Sequence, residues 1–252
     1  WIDFRHKTAS DKNGEVYMHD LTAGATRRIT SNAGYQSKPV TDGRSIAWLD
    51  YSAGNKAALT LHDIASGTTT VPSPVAAHQD NPRIDGDWLV WEDYRNATAD
   101  TANADIYAYN LKTKEVKALC DKPRFQGYPF LQGAAVVWAD FRDDTGDGSK
   151  VDIYAYDLAA GAEHRVSNRA GFDNSPVVDG NRVVWFGTEG SAMNLYAGPL
   201  PFTPSSIAPG STLKAGAARM PAKRFRMDGR RLAPAKDAAK APANLPGTLE
   251  WR

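Results

Sequence analysis

Trp138-Ala-Asp-Phe-Arg142, then Asp152-Ile-Tyr-Ala-Tyr-Asp-Leu158, then Asn174-Ser-Pro-Val177 ahead of Asp179-Gly180, reads as successive β-segments of one unit. Each alternates apolar and polar residues and is rich in β-branched and aromatic types, the pattern of half-buried strands. The unit recurs. Trp1-Ile-Asp-Phe-Arg5 and Trp91-Glu-Asp-Tyr-Arg95 repeat its opening, Trp48-Leu-Asp-Tyr51 keeps it without the arginine, and Trp185-Phe-Gly187 loses it. The five tryptophans stand 47, 43, 47 and 47 residues apart. A fixed period of this length is the mark of a repeat architecture.

The other parts recur in phase. Glu15-Val-Tyr-Met-His-Asp-Leu21 and Asp105-Ile-Tyr-Ala-Tyr-Asn-Leu111 match the second segment, and Leu59-Thr-Leu-His-Asp-Ile64 and Asn194-Leu-Tyr196 are weaker copies. Ser37-Lys-Pro-Val40, Asp80-Asn-Pro-Arg-Ile84 and Gly127-Tyr-Pro-Phe130 match the third. Asp42-Gly43, Asp85-Gly86 and Asp179-Gly180 are hairpin signals, since Gly accepts the positive φ of such turns. Four short strands per unit with no helical signal between them predict the blades of a β-propeller. A blade cannot bury both faces alone, so the recurring Trp and Tyr are expected between blades. The fold class is therefore all-β, a propeller of about five four-stranded blades. Complete blades are expected over 36–72, 79–119 and 126–167, three strands over 173–200, and an incomplete blade with an open seam over 1–30.

This rhythm resembles TolB-like propeller repeats of bacterial and archaeal envelope proteins, over residues 1 to about 200. The resemblance implies a fold; function has to be argued from a site.

A composition change at Pro201 separates the propeller, 1–202, from a tail, 203–252, rich in Ala, Pro, Lys and Arg, which reads as a linker or disordered arm. The tail has ten basic and three acidic residues, +7, leaving the propeller at −6 within a total of +1. Asp228-Gly229 is its one hairpin signal, and a tail strand closing the ring is an alternative to a solvated arm. Its apolar anchors are Leu213, Phe225, Met227, Leu232, Leu245, Leu249 and Trp251. Cys120 is the single cysteine, so no intrachain disulfide forms, and it reads as a small buried hydrophobe. No apolar run approaches the ~20 residues of a membrane helix. Trp1 in place of Met leads us to expect sequence upstream.

Strand order gathers long polar loops on one face, with short Asp-Gly turns opposite, and marks the loop-rich face as the working surface. Candidate binding residues there are Arg5, His6, Gln36, His78, Gln79, Arg95, Gln126, Arg142 and Asp173. The recurrence of Asp3, Asp50, Asp93 and Asp140 with Arg5, Arg95 and Arg142 also fits structural bracing, because a catalytic site normally occurs once. Asp143, Asp144, Asp147 and Asp152 offer dense oxygen ligands for a weak calcium site, against a solvated acidic loop; the bidentate Glu of an EF-hand is replaced by Tyr154. No other cofactor is implied. No Gly-x-Ser-x-Gly elbow or His-x-x-x-His spacing occurs, and basic and aromatic residues are not interleaved as nucleic-acid binding would require.

The sequence thus points to a non-catalytic scaffold, binding a protein or polysaccharide partner in the periplasm, at the cell surface or outside the cell. A carbohydrate lyase or glycosidase with a central site, and a structural segment of a larger assembly joined through the seam or the basic tail, are the alternatives.

Overall fold

A computed structural model describes residues 1–5, 14–32, 34–98 and 103–204, and the backbone of a strand at 223–225. Its strands fall into five blades. The first blade holds β1 (Ile2–Asp3), β2 (Glu15–Asp20) and β3 (Ala25–Arg28). The second holds β4 (Gln36–Thr41), β5 (Ser45–Asp50), β6 (Ala58–Asp63) and β7 (Thr69–Thr70). The third holds β8 (Gln79–Asp85), β9 (Trp88–Asp93), β10 (Asp105–Asn110) and β11 (Val116–Cys120). The fourth holds β12 (Gln126–Gln132), β13 (Ala135–Asp140), β14 (Lys150–Asp157) and β15 (Ala162–Arg165). The fifth holds β16 (Gly171–Asp179), β17 (Arg182–Glu189) and β18 (Ala192–Pro199), with β19 (Lys223–Phe225) from the tail paired outside β18. Within each blade neighbours are antiparallel and follow chain order.

The predicted propeller is thus observed, and among the described residues its sheets do not close into a ring. The Asp228-Gly229 turn lies outside the described residues. The tail strand that is described joins the outer edge of the fifth blade, at Leu195–Ala197, and among the described residues β1 pairs with β2 alone.

Each junction follows one rule. Strand alternation sends the tryptophan of one blade backward onto the blade before it and its sequence neighbours forward. Trp48 packs on Val16, Ile2 and Met18 of the first blade. Trp91 and Tyr107 pack on Leu49 and Leu59. Trp138 and Tyr154 pack on Val90 and Ile106, and Trp185 and Tyr196 on Val137 and Ile153. All four of these tryptophans are buried. Trp1, the same residue in the first blade, stacks on Tyr17 and stays 48 % exposed, because no described blade stands behind it.

Candidate functional site

The inner strands of the second to fifth blades, β4, β8, β12 and β16, each contain a residue in the left-handed region immediately before a proline: Lys38 (φ 48°), Asn81 (47°), Tyr128 (57°) and Ser175 (50°). At each of these places the pairing of the first two strands slips, between Ser37 and Val40, Asp80 and Arg83, Gly127 and Phe130, and Asn174 and Val177. A β-bulge of this kind re-aims side chains and releases backbone groups from the ladder. The first strands pack on one another from blade to blade, β4 on β8, β8 on β12 and β12 on β16, so the four bulges gather about the propeller axis.

Between the third and fourth blades the bulges meet at a buried carboxylate. Glu92 Oε1 accepts from Asn81 Nδ2 (2.7 Å) and from the backbone N–H of Tyr128 (2.6 Å), and Oε2 accepts from the Tyr94 hydroxyl (3.2 Å). Burial pushes the Glu92 carboxyl up, against the pull of these donors, and likewise pushes the Tyr94 phenol up. The corresponding positions of the other blades are Ile2, Leu49, Ala139 and Phe186, so the acid occurs once in the repeat. Beside it, Lys38 Nζ donates to Asp80 Oδ1 (2.6 Å) and Asn81 Oδ1 (2.8 Å), linking the second blade to the third.

Around this axial cluster runs an arc of aromatic rings on the loop-rich face. The residue after the repeated aspartate (Phe4, Tyr51, Tyr94, Phe141) alternates with the one at each blade entrance (Tyr35, His78, Phe125, Phe172). Centroid separations are 6.2 Å for Phe4–Tyr35, 5.7 Å for Tyr35–Tyr51, 6.2 Å for Tyr51–His78 and 5.3 Å for His78–Tyr94. The arc resumes with Phe125–Phe141 at 5.3 Å and Phe141–Phe172 at 5.7 Å. Backbone bonds hold the two series together: the N–H groups of Tyr51, Tyr94 and Phe141 donate to the carbonyls of Tyr35, His78 and Phe125. Phe4, Tyr35 and Tyr128 are exposed, and the remaining rings are half-buried.

The residues singled out from sequence divide into bracing and surface. Gln36, Gln79 and Gln126 are fully buried, and so is Asp173. The backbone position of the glutamines explains this: each glutamine N–H donates to the carbonyl just ahead of β2, β6 or β10 of the previous blade (Gly14, Ala57, Ala104), drawing the side chain into the junction. Gln79 then accepts from the Leu59 N–H (2.7 Å) and donates to Asp93 (3.1 Å). Arg95 and Arg142 clamp Asp93 and Asp140 through Nε and Nη2, and those aspartates also accept from Trp91 and Trp138 Nε1 at 2.9 Å. Each guanidinium lies over a tyrosine, Tyr107 at 3.9 Å and Tyr154 at 4.0 Å. Arg5 makes the same contacts, with Asp3 and Tyr17, from an exposed position. The fifth blade rebuilds the clamp from other residues. Arg169 pairs with Asp173 at 2.9 Å and covers Tyr196 at 3.8 Å, and a Cβ on Gly187 would lie 2.3 Å from the Asp173 carboxylate. His78 accepts from the Ala57 N–H and joins the aromatic arc. His6 lies outside the described residues.

The four carboxylates considered for calcium are turned to separate partners. Asp143 and Asp152 pair with Arg165, Asp152 also with Lys150; Asp144 accepts from the N–H groups of Gly146 and Lys150, and Asp147 from that of Ser149. Among the described residues no three His, Cys, Asp or Glu are grouped to hold a metal ion. Cys120 is buried, and its thiol is pushed up by burial beside Asp140. Sequence reading missed Glu92 and the arc. The arc was visible as a ring at two fixed positions of every repeat except Thr188 of the fifth blade, whereas Glu92 showed only as a departure from apolar neighbours.

No protein-family model matches the chain, and no curated protein matches it. Solved structures do. A protein from Agrobacterium tumefaciens assigned as TolB aligns with TM-score 0.53 at 14 % identity, over 74 % of this chain and 70 % of its own. TolB from Acinetobacter baumannii aligns with TM-score 0.50 at 20 % identity, over 77 % and 50 %. A puromycin-hydrolyzing peptidase from Mycobacterium tuberculosis aligns with TM-score 0.51 at 14 % identity, over 71 % and 29 %. The chain thus spans half of the second structure and under a third of the third. The fold is that of a TolB-like β-propeller.

Proposed function

We propose that this propeller is a non-catalytic scaffold that binds a segment of a partner protein across its loop-rich face in the cell envelope. The observation that carries this is the aromatic arc, whose rings are held at 5–6 Å spacing by backbone bonds yet left half open to solvent. Rigid aromatics offer large contact area at small entropic cost and anchor protein interfaces. The likeness of fold to TolB motivates the envelope setting.

The axial carboxylates fit a binding role better than bond cleavage. A glycosidase needs two carboxylates facing one bond, one of them free to shuttle a proton. Here Glu92 is buried with both oxygens accepting hydrogen bonds, and Asp80 is held by Lys38. Such binding needs no cofactor, and the acidic loop's carboxylates already have cationic and backbone partners.

A photoreactive residue replacing Tyr35 tests the proposal in a cell-envelope extract, with the same residue at Val71 on the outer rim as control. Labelling of one protein from position 35 alone, abolished by excess unlabelled chain and by Phe4→Ser, is the expected result. Retention on envelope polysaccharide with no protein labelled would replace the partner by a glycan.

A further inference from the structure

In the four junctions described above, the forward face of one blade receives an indole from the next. The fifth blade's forward face has the same construction and no described occupant. By alignment with the fourth blade it is formed by Val177, Val184, Phe186, Met193 and Leu195, matching Phe130, Val137, Ala139, Val151 and Ile153. Val177 and Phe186 are exposed, and Met193 is 67 % exposed. Phe172, Asn174, Phe186 and Met193 line a hollow of about 110 Å³ there. Contiguous apolar surface of this kind marks a docking face.

We propose that the chain's own C-terminal segment, residues 226–252, covers this face, with Trp251 taking the place that Trp48, Trp91, Trp138 and Trp185 take at the other junctions. Three observations select this occupant. Strand β19 returns the tail to the edge of this same blade, pairing Phe225 with Leu195. The 27 residues beyond it reach ~90 Å when extended, far more than the ~20 Å width of a blade. Trp251, preceded by Leu249, is the one tryptophan that lies outside the blades. Residues 226–252 carry six basic and three acidic side chains, +3, and the propeller's −6 adds a general attraction.

Peroxide footprinting of the full-length chain reads this directly. Methionine oxidation follows exposure, and Met193 resides on the face itself. The proposal expects Met193 to oxidise several-fold more slowly in the native chain than in Leu249→Ala/Trp251→Ala, with Met18 oxidising equally in both. Both substitutions fall outside the described residues, so far-ultraviolet dichroism, which reads the strands of the blades, should be unchanged. Equal Met193 rates in the two proteins overturn the proposal. So does protection that disappears on dilution together with a dimer by light scattering, which would assign the face to a second copy.

Discussion

Trp91 and Trp138 have no solvent exposure and each gives its Nε1–H to an aspartate that an arginine clamps. Truncating either empties a large site and removes one donor from a buried carboxylate that keeps its arginine, so Trp138→Ala should cost about 3–5 kcal/mol in urea unfolding. A cost below 1 kcal/mol would mean the junction repacks around the gap. A second residue-scale test comes from an imperfection of the repeat. An acid near the start of β2 and of β14 pairs with an arginine of the strand that follows, Glu15 with Arg28 and Asp152 with Arg165. In the third blade the arginine's register position, opposite Tyr107, is Ala118. Among the described residues Asp105 is left buried with only amide donors, Asn96 at 2.7 Å and Asn103 at 3.5 Å, and burial raises its carboxyl to about 6. A raised acid means the folded state holds its proton longer than the unfolded one, so this group's contribution falls as pH rises from about 4 to about 6. Ala118→Arg, which restores the missing cation, should therefore raise the melting temperature at pH 7 and leave it unchanged at pH 4. A rise at pH 4 as large as at pH 7 would assign the gain to packing.

The inner strand is the element that makes this surface, and its bulge is the costly part. Four non-glycine residues hold positive φ at one position, a conformation worth roughly 1–3 kcal/mol of strain where the surroundings enforce it. At Ser175, whose N–H donates to Asn174, replacement by glycine should stabilise by up to ~1 kcal/mol and replacement by valine should destabilise by more than that, measured as shifts in the urea midpoint at constant slope. Opposite signs are the signature; a loss from glycine would show that the bulge is unstrained. This element also shows how far sequence could be read. The blades were legible because tryptophan recurs at a nearly constant period and Asp-Gly turns flank it, signals that depend on local chemistry alone. The bulges were not, since Lys, Asn, Tyr and Ser carry no common mark of positive φ and only the following proline repeats. Gln36, Gln79 and Gln126 looked like surface groups beside a polar loop. Their burial follows from a backbone bond to the neighbouring blade, a long-range fact that a single repeat does not encode.

At the scale of the whole molecule the five blades form a one-dimensional array, in which stability is nearly a sum of blade and nearest-neighbour terms. The second, third and fourth blades each have two junctions, whereas the first has one, through Trp48. Its own tryptophan, Trp1, is half open to solvent, and its sheet has three strands. Opening free energy should therefore be graded along the chain, with the lowest values where junctions are fewest. Hydrogen exchange followed by mass spectrometry should find the amides of β2, paired on both sides, exchanging faster than those of the interior strands β9 and β13. The fifth blade discriminates further. If its forward face were bare, β18 would exchange like β2, each blade having a single junction. With the tail covering that face, β18 should be more protected than β2, and Leu249→Ala/Trp251→Ala should bring the two together. One uniform rate across β2, β9, β13 and β18 would contradict the array, because it would require all five blades to open as one unit.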